Sequence, residues 1–428
     1  MNDEQQAKRG LIARGLTVVA LILIAVLYFQ PTWWVALEAP QYPPEAFPDG
    51  VRINFHTNGV FNGCRAINSK EVMETEVLDC VHEMDAINHF VGMYPIASGG
   101  VVEKGFSQFL FSMLGVMLVG FLIFKSRIRT IVMSVGFVAI GVWMYMSFYT
   151  ANGIALLNSG YVSALVVSLG HGNEEEGEEL SPIISKLKES LMDSGESSLA
   201  TREEVNDTLE RSGQTELIGI LAKLHKGSEE AKPKSLKEIL EEAKNKGHRG
   251  KEADIEVLKA SFEADQARQP FAAREQWTGS LQQVMFWHYE KSLGRWFNNQ
   301  DEIRPLVATM TTVGTIVFWG VIAAMVFMVV ATVKNGSLFY WLLPGIPALL
   351  PVFFLIEYAG WLWWYGHSLN DMGAFTLKPF MPTVFGQGKV AQFTTLSYPS
   401  IGFGMMLGVL VCMLLAMLLR RKHIIEGE

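Results

Sequence analysis

The stretch "LIARGLTVVALILIAVLYFQPTWWVAL", from Leu11 to Leu37, decides the class of fold. Its first part, Leu11–Phe29, has the roughly 20 residues of apolar length that a helix needs to cross a bilayer. Three basic residues stand at or near its start: Lys8, Arg9 and Arg14. No small-residue cleavage site follows, because the run leads directly into "QPTWW". The stretch therefore predicts an uncleaved membrane anchor, with Trp33 and Trp34 at the outer interface.

The composition of the whole chain is typical of a membrane protein. Half of its 428 residues are hydrophobic, 11% are aromatic, and the mean hydropathy is +0.22. The net charge of −8 argues against nucleic-acid binding, which normally needs a basic face. Most charged residues fall between Glu174 and Arg304, and this region is expected to be soluble and helical.

Five further apolar runs are long enough to span a bilayer. They are Phe106–Phe124, Ile131–Tyr149, Leu306–Val333, Leu338–Trp363 and Ser400–Leu419. Asparagines and serines dilute a seventh run, Ala151–Leu169, which we expect to lie on or beside the bilayer. With six spans the short basic clusters all face the cytoplasm, as the positive-inside rule favours; they are Lys125, Arg127, Arg129, Lys334 and Arg420–His423. The sequence thus predicts an α-helical integral protein of the bacterial inner membrane, with about six transmembrane helices and both termini cytoplasmic.

The six spans divide the chain into membrane and outer segments. The predicted membrane parts are the anchor at 1–29, hairpins at 106–149 and 306–363, and the last helix with its cytoplasmic tail at 400–428. The predicted outer parts are a periplasmic lobe at 30–105, an inserted helical domain at 150–305 and a periplasmic loop at 364–399. Within the insertion, helix-start signals occur at Ser181-Pro182, Thr201 to Glu204 and Ser235 to Glu238.

The lobe at 30–105 carries two signals of a small stapled fold. Asn58-Gly59 interrupts an alternating run and predicts a β-hairpin. Cys64 and Cys80 share this polar segment and are expected to form a disulfide if the compartment is oxidising; the alternative is two unpaired thiols. The helical pattern that follows ends in "INHFVGM".

Two outer segments each present a histidine close to methionine. His89 and Met93 are four residues apart, so on a helix they would share one face. An imidazole with a thioether is a soft pair that suits copper, especially Cu(I). His367 follows the end of a span and is itself followed by Met372 and Met381. Together the segments predict a copper site formed by His89, Met93, His367 and Met381. The alternative is that His89 caps its helix and Met93 lies in the core of the lobe.

Glu357 lies inside the apolar run Leu338–Trp363. An ionisable residue at that depth is a candidate proton or ion site. The alternative is a carboxylate that pairs with a neighbouring helix.

Four stretches carry a resemblance to a known family: "EAPQYP" at Glu38–Pro43, "INHFVGM" at Ile87–Met93, "YGHSLN" at Tyr365–Asn370, and "KPFMPTVFG" with "FTTLSYPSIG" within Lys378–Gly402. They resemble a poorly characterised family of bacterial polytopic membrane proteins with NH(Y/F)xGM and YGHxL motifs. The resemblance covers residues 30–150 and 306–420 and implies a context of nitrous-oxide reductase maturation and copper handling. The block at 150–305 and the cysteine pair depart from the family pattern, which leaves the client protein open.

Three functions follow from these features. The leading hypothesis is a membrane-bound accessory factor for assembly or copper loading of a copper enzyme, with that enzyme or its maturation factors as partners. The second is a non-catalytic structural subunit of a membrane enzyme complex. The third is an ion or small-molecule transporter using Glu357, although no internal repeat supports it. No nucleophile–base set and no C-x-x-C-H haem signature is found, so an enzymatic activity of its own is not expected.

Overall fold

The computed structural model describes residues 3–65, 79–96, 100–178, 250–295, 297, 299–334, 337–374, 378–390 and 392–425. The helix starts predicted at Ser181, Thr201 and Ser235 lie outside these residues. The chain forms two compact units, Met1–Leu156 with Thr278–Glu428, and Leu157–Trp277. The second unit falls within the predicted insertion at 150–305, and all the predicted site residues belong to the first.

The described residues are mainly helical. In chain order the helices are α1 (Asp3–Leu27), α2 (Cys80–Phe90), α3 (Gly100–Leu122), α4 (Ser126–Tyr149), α5 (Ser159–Glu178), α6 (Lys251–Arg268), α7 (Leu281–Gly294), α8 (Gln300–Ala331), α9 (Leu342–Ala348), α10 (Leu350–His367) and α11 (Ile401–Ile425). Short 3-10 turns occupy Gly153–Leu156, Phe271–Ala273 and Leu338–Trp341. Of the described helices, α1, α3, α4, α8 and α11 are each long and apolar enough to cross a membrane. The apolar runs therefore form several helices with the length and composition of membrane spans.

The predicted span Leu338–Trp363 is not one straight helix. The segment Leu338–Ala348 meets α10 at a bend of 61°, with Leu349 at the break. Three prolines explain the bend, because each lacks a backbone donor and its ring clashes with the preceding turn; they are Pro344, Pro347 and Pro351. The pair is therefore a broken span or a re-entrant segment.

The diluted run Ala151–Leu169 is split between two elements. The 3-10 turn Gly153–Leu156 comes first, and α5 begins after Asn158. The side-chain oxygen of Asn158 accepts a hydrogen bond of 2.7 Å from the amide of Tyr161, which is the arrangement of an N-cap. The polar residues that dilute the run thus start a new helix inside it.

Five antiparallel strands form one sheet in the order β3-β2-β1-β5-β4. The strands are β1 (Pro31–Glu38), β2 (Val51–His56), β3 (Gly59–Asn62), β4 (Gly386–Val390) and β5 (Phe393–Pro399). The predicted hairpin is confirmed as β2–β3, with Thr57 and Asn58 in its turn. The sheet also joins segments 30–105 and 364–399, which the sequence predicted as two separate outer parts.

β1 lies at the centre of this sheet, and Trp33 on it belongs to a hydrophobic cluster. Trp33 is 2% exposed, and its indole N–H donates a 2.9 Å hydrogen bond to the hydroxyl of Ser397 on β5. Its location at the outer interface stays a prediction. Trp34 is half-buried on the other face of the strand, with the guanidinium of Arg52 4.4 Å from its ring centroid. The strand alternation therefore places the two tryptophans on opposite faces of the sheet.

α2 packs beside the sheet and is fixed at its start. The carboxylate of Asp79 accepts hydrogen bonds from the amides of Val81 and His82, so Asp79 is the N-cap. The predicted disulfide is present, and Cys64, just past β3, is bonded to Cys80 at the first position of α2. The disulfide bond and the N-cap together fix the start of α2 beside the sheet.

Candidate functional site at the junction of the outer motifs

The motif "INHFVGM" ends in a helix-terminating turn. Gly92 has φ +81°, and its amide donates to the carbonyl of His89 while the amide of Met93 donates to that of Asn88. These two bonds form a Schellman motif, which satisfies the last carbonyls of α2. Because Phe90 is the last residue of α2, Met93 lies beyond the turn. The expectation that His89 and Met93 share one helix face is therefore wrong.

The second motif, "YGHSLN", contacts the first at the turn that contains Gly92. The amide of Asn370, just after α10, donates a 2.7 Å hydrogen bond to the carbonyl of Gly92. A Cβ at residue 92 would lie 2.5 Å from the carbonyl oxygen of Asn370. Glycine is thus required here both for the positive φ and for the close approach of the two backbones.

The side chain of Asn370, 4% exposed, extends this junction into a buried polar network. Its amide nitrogen donates to the hydroxyl of Tyr94 at 3.2 Å and to the carboxylate of Glu302 on α8 at 2.7 Å. Its oxygen accepts from the amide of Met372 at 2.9 Å. The Tyr94 hydroxyl in turn donates to Glu302. Three separate parts of the chain meet on this one amide.

Tyrosine hydroxyls complete the network. Tyr365, 4% exposed on α10, donates a hydrogen bond to the backbone carbonyl of Tyr94. Burial raises the pKa of Tyr94, and its phenol remains protonated and able to donate at neutral pH. These hydrogen bonds join the two motifs, and we call the network the clasp.

Asp85, which is 5% exposed, holds the segment after Gly92 from the opposite side. Its carboxylate accepts a 2.7 Å hydrogen bond from the amide of Ile96. Sequence reasoning assigned no role to Asp85, Tyr94, Glu302 or Asn370. Only Asn370 had a signal, since it closes the "YGHSLN" motif, whereas Glu302 looks like an ordinary helix-start acid.

The four predicted copper ligands occupy different environments. Met93 is 5% exposed inside the hydrophobic cluster of the lobe. His89 is half-buried, with its ring 4.8 Å from that of Phe297. His367 is exposed and Met381 is 45% exposed. The structure brings the two motifs together through their backbones and polar clasp, with Met93 inside the lobe and His367 at its surface.

The imidazole of His367 is held in a defined orientation. Its Nδ1 donates a 2.7 Å hydrogen bond to the carbonyl of Trp363, and its ring stacks on that indole at 4.6 Å. A bond of this kind fixes the tautomer and leaves Nε2 with a lone pair for a ligand. Within the described part of the chain, no three His, Cys, Asp or Glu side chains cluster as a metal site would require.

Glu357 faces outward from the bent pair of helices. It is exposed on α10, and its apolar neighbours Ile356 and Phe353 are 65% and 47% exposed. Glu103 near the start of α3 is close enough to interact with it electrostatically. The carboxylate thus lies on the outer surface of the helices rather than in a core between them.

His56 on β2 is a further unusual histidine. Its ring is 4.6 Å from that of Phe61, and the ammonium of Lys104 lies over the same phenyl ring at 4.4 Å. Burial, and then the positive charge of Lys104, lowers the pKa of His56 to about 4. His56 is therefore neutral at pH 7.

Comparison of the chain with family models, curated proteins and solved structures gives no match.

Proposed function

We propose that this chain is a membrane-bound accessory factor that holds Cu(I) at its outer face and passes it to a copper enzyme. The observation that carries the proposal is the exposed imidazole of His367, whose Nδ1 is bonded to the Trp363 carbonyl while Nε2 is left for a ligand. Two exposed thioethers, Met372 and Met381, lie on the same outer segment. A soft, open ligand set of this kind suits transfer of Cu(I) better than permanent storage.

The proposed ligands are His89, Met93, His367 and Met381. The junction of Gly92 with Asn370 supports this set, because it ties the segment of His89 and Met93 to the segment that carries His367. Met93 is buried, so its sulfur would bind copper only after the turn at Gly92 opens. The resemblance of both motifs to a family linked with nitrous-oxide reductase maturation supports a periplasmic copper enzyme as the client.

The test is Cu(I) binding by the purified full-length protein, in competition with a colorimetric Cu(I) chelator. We expect one equivalent of Cu(I) to bind, and the double variant His89→Ala with His367→Ala to lose it. Met381→Leu should weaken binding about tenfold, as expected when one ligand of several is removed. Met146→Leu is the matched control, because Met146 is 43% exposed on α4, far from these motifs in sequence.

Unchanged copper stoichiometry in the double variant would overturn the proposal. If His367→Ala alone abolishes binding while His89→Ala and Met93→Leu leave it intact, the site is confined to the segment after α10. Equal losses in Met146→Leu and Met381→Leu would show that Cu(I) binds exposed methionines without selection.

Glu357 favours a second candidate, a non-catalytic subunit of a membrane enzyme complex. A carboxylate that faces lipid is costly, and a neighbouring subunit with a donor at that depth would satisfy it. Under this hypothesis Glu357→Gln keeps the partner, whose donor can still bond the amide, whereas Glu357→Leu releases it. Co-purification of a partner from the native membrane, compared between these two variants, distinguishes the hypotheses, because copper binding by the outer segments should not respond to either.

A further inference from the structure

A second cluster of charged side chains lies at the helix ends opposite the sheet. The guanidinium of Arg14 on α1 lies 4.1 Å from the ring centroid of Phe124, which follows α3. Arg420, near the end of α11, lies over the same ring at 3.1 Å. Ends of three apolar helices therefore converge on one phenyl ring.

Arg129 joins two more helices to this cluster. It lies in the first turn of α4, is completely buried, and donates through Nη2 to the carbonyl of Thr332 at the end of α8. Its guanidinium lies 4.8 Å from the ring centroid of Tyr340. Arg129 thus satisfies a carbonyl that the end of a helix leaves open.

Arg420 is bonded on one side only. It is 2% exposed, and its Nε donates a 3.1 Å hydrogen bond to the hydroxyl of Tyr340. Its Nη1 is buried and has no hydrogen-bond partner among the residues that the structure describes. Nor does any carboxylate in the described part of the chain pair with it. A buried guanidinium in this condition is costly unless an anion reaches it.

The neighbours of Arg420 increase the need for an anion. Arg129 and Arg14 are both close enough to repel its charge. Planar guanidinium groups recognise phosphate through paired N–H donors. The cluster lies at the ends of helices that are apolar enough to cross a membrane, where lipid headgroups are found. Apolar side chains that continue from the cluster towards the sheet are exposed on both α1 and α11; they include Ile22 at 57% and Leu418 at 63%.

We propose that Arg420, with Arg14 and Arg129 beside it, binds a phosphate-bearing anion, and that this anion is the headgroup of an anionic phospholipid. The unpartnered Nη1 of Arg420 donates to a phosphate oxygen, and the hydroxyl of Tyr340 fixes the guanidinium for that bond. The acyl chains lie against the exposed apolar side chains that follow Arg14 on α1 and precede Arg420 on α11. This site is separate from the outer face and does not depend on copper binding.

The test compares thermal unfolding of the full chain in a mild detergent with added phosphatidylglycerol, phosphatidylcholine or inorganic phosphate. We expect phosphatidylglycerol to raise the midpoint of unfolding, and phosphatidylcholine to have a much smaller effect. Arg420→Gln should weaken phosphatidylglycerol binding about tenfold, which corresponds to one charge-assisted hydrogen bond. Arg421→Gln is the matched control, since Arg421 is the exposed next residue and carries the same charge.

Arg14→Gln provides a second measurement in case Arg420→Gln fails to fold. Arg14 is exposed, so its replacement should leave the fold intact and weaken binding of the lipid. Equal lipid binding in the wild type, Arg420→Gln and Arg14→Gln would overturn the proposal. An equal loss in Arg421→Gln would do so as well, because it would indicate general attraction to a basic surface. If inorganic phosphate stabilises the protein as much as phosphatidylglycerol, the phosphate site stands and the lipid as its occupant is rejected.

Discussion

Asn370 is the residue through which the two outer motifs meet. Its backbone amide, its side-chain nitrogen and its side-chain oxygen all form hydrogen bonds in a buried setting. Replacing it removes one donor from the carboxylate of Glu302, which still accepts from Tyr94, and removes the amide donor from the buried hydroxyl of Tyr94. The cost of such a loss is larger than the average worth of one hydrogen bond, because the groups left behind stay buried.

We therefore expect Asn370→Ala to lower the free energy of unfolding by about 1–3 kcal/mol. Reversible unfolding of the purified protein in detergent, followed by tryptophan fluorescence, measures the change. Asp371→Ala is the control, because Asp371 is the exposed next residue, and its replacement should change stability by less than about 0.5 kcal/mol. Similar losses of unfolding free energy in both variants would show that the hydrogen bonds of Asn370 make no special contribution to stability.

His56 provides a prediction for pH dependence. Its pKa is about 4 in the folded protein and about 6.5 in an unfolded chain. Between these values the unfolded state binds more protons, so stability falls as the pH is lowered from about 6.5 to about 4. We expect the midpoint of thermal unfolding to fall more steeply over this range in the wild type than in His56→Gln. Parallel pH profiles for the two proteins would contradict the lowered pKa of the half-buried His56.

The two motifs that carry the candidate ligands could be recognised in the sequence. The orientations of their side chains could not be predicted from it. "INHFVGM" and "YGHSLN" were recognisable because they are polar and lie beside apolar runs. Met93 was expected to face the same way as His89, yet the turn at Gly92 sends it into the core. Glycine at that position was a usable signal for a helix C-terminus. No pattern of residues predicts the hydrogen bond from His367 to the carbonyl of Trp363, which orients the imidazole.

At the scale of elements, local signals succeeded and pairing between distant segments was missed. Asn58-Gly59 predicted the β2–β3 hairpin, whose strands are joined by a two-residue turn. β1 and β5 pair across more than 350 residues, with Trp33 opposite Pro399. "PTWWVAL" was interpreted as an interfacial belt because it follows an apolar helix, and nothing local identifies a partner strand. The prolines between Leu338 and Trp363 could have predicted the break at Leu349. The hydropathy of this run is continuous, however, and hydropathy alone predicted one straight span.

The disulfide between Cys64 and Cys80 supports a quantitative prediction for the lobe. It closes a loop of 16 residues, and chain entropy alone gives about 3 kcal/mol for a loop of about that length. We expect Cys64→Ser with Cys80→Ser to destabilise the protein by about that amount. Added reductant should lower the stability of the wild type but leave the double variant unchanged. Cys412→Ser removes the half-buried free thiol and serves as the control. A response to reductant in the double variant would assign the effect to another cause.

At the scale of the whole molecule, the terminal helices continue directly into the sheet. β1 begins soon after α1, and β5 ends immediately before α11. α1 and α11 pack along each other, and β1 and β5 pair in the same antiparallel sense. The sheet is thereby fixed directly to α1 and α11, two of the helices that are apolar enough to cross a membrane.

The arginine cluster and the sheet lie at opposite ends of these helices, which makes sidedness testable with two single cysteines. Lys389 on β4 and Lys422 on α11 are both exposed lysines. The positive-inside rule assigns the end bearing Arg14, Arg129 and Arg420 to the cytoplasm. In a Cys412→Ser background, a membrane-impermeant maleimide should label Lys389→Cys in intact cells and Lys422→Cys only after permeabilisation. The reverse pattern would place His367 and Met381 in the cytosol, where the proposed delivery to a periplasmic enzyme is impossible. It would also move the phosphate site to the outer leaflet, while leaving its chemistry unchanged.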